Sequence, residues 1–299
     1  MSLLLIVAGG LVTSRDAGLA VPDWPLSFGM INPPRWYLID NVRSEHGHRL
    51  IAFCVAIATA FLGLRVRTVE KRPAVRRLAA AAVAAVLIQA LLGGLRVLEL
   101  SVDLAMVHGW LAQIFFCLLA ALAALTSPHW PLRGGNRLPT ALSRHTLLAI
   151  ALVVSQLVVG IWIRHMGGDA RPLAGNALFQ AHLLLAGLVV WAVLRLQRMV
   201  VAAGDQASRY LQRRSSLLVA LVSVQLGLGL GAFAVTELMS YERQASLLES
   251  WVPTFHVAVG AAILATSVVI ALHAFAQQAL AHSSMRSIDS DASRLAGAR

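Results

Sequence analysis

Charge is the scarcest thing in this 299-residue chain: Asp, Glu, Lys and Arg make up 13% of it, against 58% hydrophobic residues. With a mean hydropathy of +0.72, a water-soluble domain is excluded and a polytopic membrane protein in contact with membrane lipid is implied. Lysine occurs once, at Lys71, the other 24 basic residues being Arg, a bias that reads as genome composition. The two cysteines, Cys54 and Cys117, lie inside apolar runs, which speaks against a structural disulfide and leaves the redox compartment unread. The first apolar stretch, 1–12, has neither a basic leader nor a small-residue cleavage site, so it does not read as a signal peptide. At ~1.5 Å per residue it rises only ~18 Å, and a truncated or misassigned start is the expected reason.

Apolar segments fall at about 1–12, 50–64, 78–95, 104–126, 146–163, 177–194, 217–236 and 252–276, and crossing the ~30 Å hydrocarbon core takes about 20 residues. With their flanks they are read as eight transmembrane helices of an all-α membrane protein. Seventeen of the 25 basic residues fall in the loops joining helices 2–3, 4–5 and 6–7 and in the C-terminal tail, against eight on the other side. Both termini are therefore expected in the cytoplasm, as in a multi-pass protein of a bacterial inner (plasma) membrane. The net charge of +11 is then a matter of topology and of attraction to anionic lipid, with little reason to invoke nucleic acid.

Helices 3, 5 and 7 carry one pattern three times: Gln89–Gly93, Gln156–Gly160 and Gln225–Gly229. An amide and a bare backbone patch four residues apart share one helix face, which in lipid first means close helix packing. Helices 2, 4, 6 and 8 open instead on His48, His108, His182 and His256. The alternation makes helices 1–4 and 5–8 two tandem four-helix bundles of the same orientation, related by an axis along the membrane normal. The expected organisation is an N-terminal half over 1–126 with an outer loop at 13–44, a cytoplasmic linker 127–143, a C-terminal half 144–276 and a disordered cytoplasmic tail 277–299. The outer loop, rich in Pro and Gly with Trp24, Trp36 and Tyr37, is either an interfacial anchor or a lid over a ligand.

The four histidines lie within about two turns of the outer ends of their helices, at similar depth, where ionisable groups are functional candidates by default. Each is alone on its helix, apart from Glu45 beside His48, without the Cys, Asp or Glu neighbours usual at zinc or copper sites. Facing imidazoles in an apolar bundle suit the two axial positions of a haem, which pairs His48 with His108 and His182 with His256. His129, His145, His165, His273 and His282 fall in loops or at inner helix ends and read as solvated, and His46 as pointing off the face of its neighbours. Glu45, His48 and Arg49 share a helix face, whereas Phe179 and Leu183 stand at the matching positions beside His182. One pocket thus has an acid beside its ligand and the other does not, which suggests one that performs chemistry and one that passes or stores electrons.

GGLVTSRDAGLAVPDWP after helix 1, the Glu-x-x-His-Arg of EHGHR opening helix 2, and the single histidines opening helices 4, 6 and 8 together resemble the haem A synthase family of cytochrome oxidase assembly. The resemblance covers essentially the whole chain and implies oxidation of the C8 methyl of haem O, by successive hydroxylations, to the formyl group of haem A. It implies that His48 and His108 bind the substrate porphyrin, with Arg49 holding Glu45 or a propionate, that His182 and His256 ligate a haem b, and that Glu45 is the catalytic carboxylate. It further implies an upstream haem O synthase and an electron donor that the sequence leaves unnamed; homo-oligomerisation is left open. The cysteine pair that some bacterial members carry in the first outer loop is missing, and helix 1 is shorter than the family pattern. A bis-histidine dihaem b-type cytochrome moving electrons from quinol is the alternative, and Glu45, which electron transfer does not need, weighs against it. A two-repeat transporter is a distant third, since no charged or broken helix crosses the midplane.

Overall fold

Short polar residues mark where the long helices start. The computed structural model describes all residues except 129, 131–137, 167–171, 239–245 and 298–299, with side chains as far as Ala279. Its eight α-helices are α1 (Ser2–Ser14), α2 (Asp40–Val69), α3 (Pro73–Leu98), α4 (Val102–Leu125), α5 (Thr140–His165), α6 (Ala177–Ala202), α7 (Arg209–Leu238) and α8 (Leu247–Gly297). Ser101 Oγ caps α4 by accepting from Leu104 N–H, and Asn176 Oδ1 caps α6 by accepting from Leu178 N–H. Ser208 Oγ accepts from Leu211 N–H at α7, and Ser246 and Glu249 form a reciprocal capping box at α8, each satisfying donors left over at a helix start. Pro73 opens α3, where its missing N–H costs nothing.

Seven of these helices, α2 to α8, are long and apolar enough to cross a membrane, and no strand is present among the described residues. This is the make-up of a multi-pass membrane protein, and large apolar side chains such as Phe53, Phe61, Leu87, Leu184 and Leu230 point outward, as lipid contact requires. The thirteen residues of α1 are too few to span on their own. Neighbours in sequence are neighbours in space from α1 to α4 and from α5 to α8, and α8 also packs on α1, α4 and α5. Accordingly α8 has 56% of its apolar window buried, against 17–33% in the other six. Buried clusters sort the same way. One gathers Leu142, Val153, Leu196, Leu211, Leu218 and Ile270 from α5 to α8, and two smaller ones join α2, α3 and α4 around Ala82 and Phe115.

Several boundaries differ from expectation. Helix α2 begins at Asp40, not at Glu45, so EHGHR lies in its second and third turns and does not open it, and the outer loop shortens to 15–39. Asp40 at the positive end of the helix dipole favours that earlier start. The segment 277–299, expected as a disordered tail, continues α8 to Gly297; no Pro or Gly interrupts the chain between Gly260 and Gly297. Much of the linker 127–143, with Arg133 and Arg137, lies outside the described residues, as does His129; so does the side chain of His282. Of the remaining described histidines read as solvated, two are buried and one is half-buried. His145 is buried and donates to Ala192 O (2.9 Å), and His273 is buried against Tyr210, its Nδ1–H donating to Val269 O (2.8 Å). Half-buried His165 donates to Ile161 O (2.8 Å). In each case a helix carbonyl takes the ring proton, which makes burial affordable.

Candidate functional site

Glu45 is 4% exposed, and both of its oxygens are engaged. Oε1 takes Arg49 Nη2 at 2.6 Å, one turn further along α2, and Oε2 accepts the backbone N–H of Val21 at 2.9 Å. Arg49 then fastens the outer loop: Nη1 donates to Asp23 O (2.7 Å) and Leu26 O (2.9 Å), and Nη2 also donates to Val21 O (3.1 Å). His46 faces the loop as well. It is 2% exposed, its Nδ1 is 2.8 Å from Ser27 Oγ, Trp36 packs edge-on to it, and its Nε2 is buried without a partner. The loop rests on α3 through bare backbone: a Cβ on Gly94 would stand 2.4 Å from Trp24, and one on Gly18 would stand 2.3 Å from Arg96 Nη2. It is therefore fixed over the outer ends of α2 and α3.

Within the loop, Asp23 closes a tight turn by accepting from Gly29 N–H and Phe28 N–H, both at 2.7 Å. Those two backbone donors, Gly29 foremost, with Arg49 nearby, hold its carboxyl below the ordinary carboxylate value.

The four histidines share one environment that the sequence pattern only half disclosed. A Cβ on Gly9, Gly93, Gly160 or Gly229 would come within 3.1, 3.2, 3.0 or 3.1 Å of Cε1 of His48, His108, His182 or His256 respectively. Each imidazole thus sets its Cε1–Nδ1 edge against a glycine of the preceding helix, and the glycine of the Gln–Gly pattern is a seat for a ring as much as a packing point. All four Nδ1 atoms are buried without a partner. Gly9 in α1 was missed because no Gln precedes it: Leu5 stands four residues before it, where α3, α5 and α7 have Gln89, Gln156 and Gln225.

In the second half the glutamines reach the rings. Gln156 Nε2 lies 3.0 Å from His182 Nε2, and Gln225 Nε2 lies 3.2 Å from His256 Nε2. Each glutamine amide thus meets the Nε2 edge of its histidine. The two rings face one another with centroids 6.3 Å apart. His182 and His256 would hold an iron-centred group between them. In the first half Gln89 donates to His108 O instead (3.0 Å), and His48 and His108 lie within electrostatic reach of each other. Four glycine cradles, four orphaned nitrogens and a neighbouring imidazole pair with planes tilted by 56° fit a flat, two-sided iron ligand. No cluster of three or more His, Cys, Asp or Glu placed to hold a bare metal ion is found among the described residues.

Two arginines that the sequence reading counted only as outer charge belong to this region. Arg164, one turn past Gly160, donates to Gly10 O (2.8 Å) and Ser14 Oγ (2.7 Å), tying α5 to α1. Arg96, three residues past Gly93, lies against Gly18 with its Nε buried and unpartnered. A basic residue at membrane depth on the side where basic residues are few was the available signal. Phe179, in the position matching Glu45, stacks on Phe233 at 5.2 Å. Compared with known protein families, curated proteins and solved structures, the chain matches none of them.

Proposed function

We propose that this chain is a membrane oxidoreductase of the haem A synthase type. On this reading its eight helices form two tandem four-helix bundles related by an axis along the membrane normal, with both termini in the cytoplasm of a bacterial cell. The observation that carries the reading is the fourfold repetition of an imidazole seated on a glycine with Nδ1 buried and unpaired, because a buried ring nitrogen left without a partner is rare in a purely structural histidine. His48 and His108 hold the substrate, haem O, and His182 and His256 hold a resident haem b. When bound, the iron porphyrins supply the redox chemistry that turns the C8 methyl of haem O into the formyl of haem A. Haem O synthase is the upstream partner.

The protein's own contribution centres on Glu45. Its Oε1 is paired with Arg49 and its Oε2 accepts Val21 N–H, in a place with little solvent. To shuttle a proton it must give up one of those partners, whereas to stabilise positive charge developing on a neighbouring carbon it need not move. Electrostatic stabilisation is therefore its assigned role. A dihaem cytochrome accounts for the His182–His256 pair but gives this buried acid no task.

Glu45→Ala is expected to retain both haems and to abolish haem A when the chain is co-expressed with a source of haem O. Chromatography of extracted haems reads this directly, and undiminished haem A in the variant removes Glu45 from the reaction. His182→Ala or His256→Ala is expected to lower haem b content while the first pocket still binds porphyrin; loss of binding at both sites would show that the two pockets are not independent.

A further inference from the structure

We infer that Arg96 binds a carboxylate of the ligand held between His48 and His108. This rests on the reading of that pocket as a porphyrin site, and it assigns a residue for which neither sequence motif nor repeat gave a role. Three residues beyond Gly93, Arg96 lies about 4.5 Å outward of the seat of His108, at the level where Glu45 stands one turn outward of His48. Both acids within its electrostatic reach are poor partners: Asp16 is exposed, and Glu45 is already committed to Arg49 and Val21. Among the described residues Arg96 forms no ion pair, its Nε is buried without an acceptor, and its guanidinium is pressed on the bare backbone of Gly18.

The other two candidates for an anion are used up. Arg49 donates to Glu45 and to three loop carbonyls, and Arg164 to Gly10 and Ser14. A partly buried guanidinium whose Nε has no acceptor gains from a ligand that provides a counter-charge. The planar fork of Arg matches a carboxylate in two parallel hydrogen bonds, and the carboxylates of a porphyrin sit on one edge of the ring. With that edge toward Arg96 the apolar edge faces the bundle interior, which orients the macrocycle between the two imidazoles.

The test titrates the purified full-length chain with ferric protoporphyrin IX and, separately, with its dimethyl ester, following the Soret band. The phase belonging to the first pocket is the one lost in His48→Ala, and the remaining phase reports that each variant is folded. Wild type is expected to bind the diacid at least about tenfold more tightly than the ester in that phase, tenfold being about 1.4 kcal/mol. Arg96→Leu is expected to lose that preference and Arg96→Lys to regain part of it. Equal affinities for diacid and ester in wild type, or equal weakening of both by Arg96→Leu, overturns the assignment while leaving the porphyrin site standing. Absence of any phase sensitive to His48→Ala overturns the porphyrin reading and this inference with it.

Discussion

Removing Arg49 tests whether the outer loop is held as described. In Arg49→Leu, Glu45 keeps only its bond from Val21 N–H and becomes a buried, uncompensated anion. The side chains are 17% and 5% exposed for Arg49 and Glu45, so little solvent is at hand to replace the lost partner. Breaking a buried pair from one side costs about 3–5 kcal/mol. The carbonyls of Val21 and Asp23, which lose their donor as well, place the expected cost toward the top of that range. Glu45→Gln removes the charge and leaves a single carbonyl oxygen, which serves either Val21 N–H or Arg49 while the amide nitrogen meets the other donor, for about 1–3 kcal/mol. In the Glu45→Gln background no anion is left stranded, so Arg49→Leu there is expected to cost at least about 1.5 kcal/mol less than in wild type. Unfolding in mixed micelles, followed by tryptophan fluorescence, measures all four corners of the cycle. Additivity within about 0.5 kcal/mol would show that the two side chains are not coupled and would refute the account of the loop.

Glycine seats and ordinary helix glycines are expected to separate cleanly. Gly160→Ala and Gly229→Ala put a methyl 3.0 and 3.1 Å from an imidazole carbon and should cost about 1–3 kcal/mol by overpacking, whereas Gly227→Ala, with nothing within 4 Å, should be neutral or stabilise by up to about 1 kcal/mol; the same unfolding titration ranks them. Because the carboxyl of Asp23 is held below its ordinary value by Gly29, Phe28 and Arg49, its contribution to the loop is complete above the unfolded carboxylate value and is lost as pH falls through the lower, folded one. Protease cleavage within 15–39 should therefore accelerate only in acid below the ordinary carboxylate range, and Asp23→Asn should show that faster cleavage already at neutral pH.

How much of this was legible follows from what leaves a mark in sequence. Long apolar runs bounded by Pro, Asn or Ser gave α2 to α8, and a single histidine in each of four apolar runs gave the candidate ligands. The pattern of Gln and Gly was visible, but its purpose was not. Whether a glycine faces a helix or an imidazole depends on the rotation of α3, α5 and α7, which the spacing of Gln and Gly does not set. Gly9 and His48 are separated by the outer loop, so no fixed spacing links them. The loop itself was unreadable in detail because Arg49 and Glu45 bond to main-chain atoms of Val21, Asp23 and Leu26, and a carbonyl or an N–H is the same whatever side chain it carries. His145, His165 and His273 were misjudged for a related reason: a helix carbonyl satisfies their ring proton at no visible cost in sequence.

The two halves fix their imidazoles by different means, and the difference matches the two tasks proposed for them. In the second half an amide holds each Nε2, and Phe179 stacked on Phe233 closes the position where an acid would stand. Ring orientations set in advance favour a tightly kept, resident cofactor, with each amide moving off Nε2 as the ring ligates iron. In the first half Gln89 turns to the His108 carbonyl and Leu5 has no amide to offer, so neither ring is held by a glutamine. What surrounds that pair instead is charge, with Glu45 fixed by Arg49 and Arg96 left over. A pocket that must release its product after changing it gains from looser axial groups, provided that orientation comes from elsewhere. An anion contact at the outer edge supplies orientation without tightening the grip on the iron.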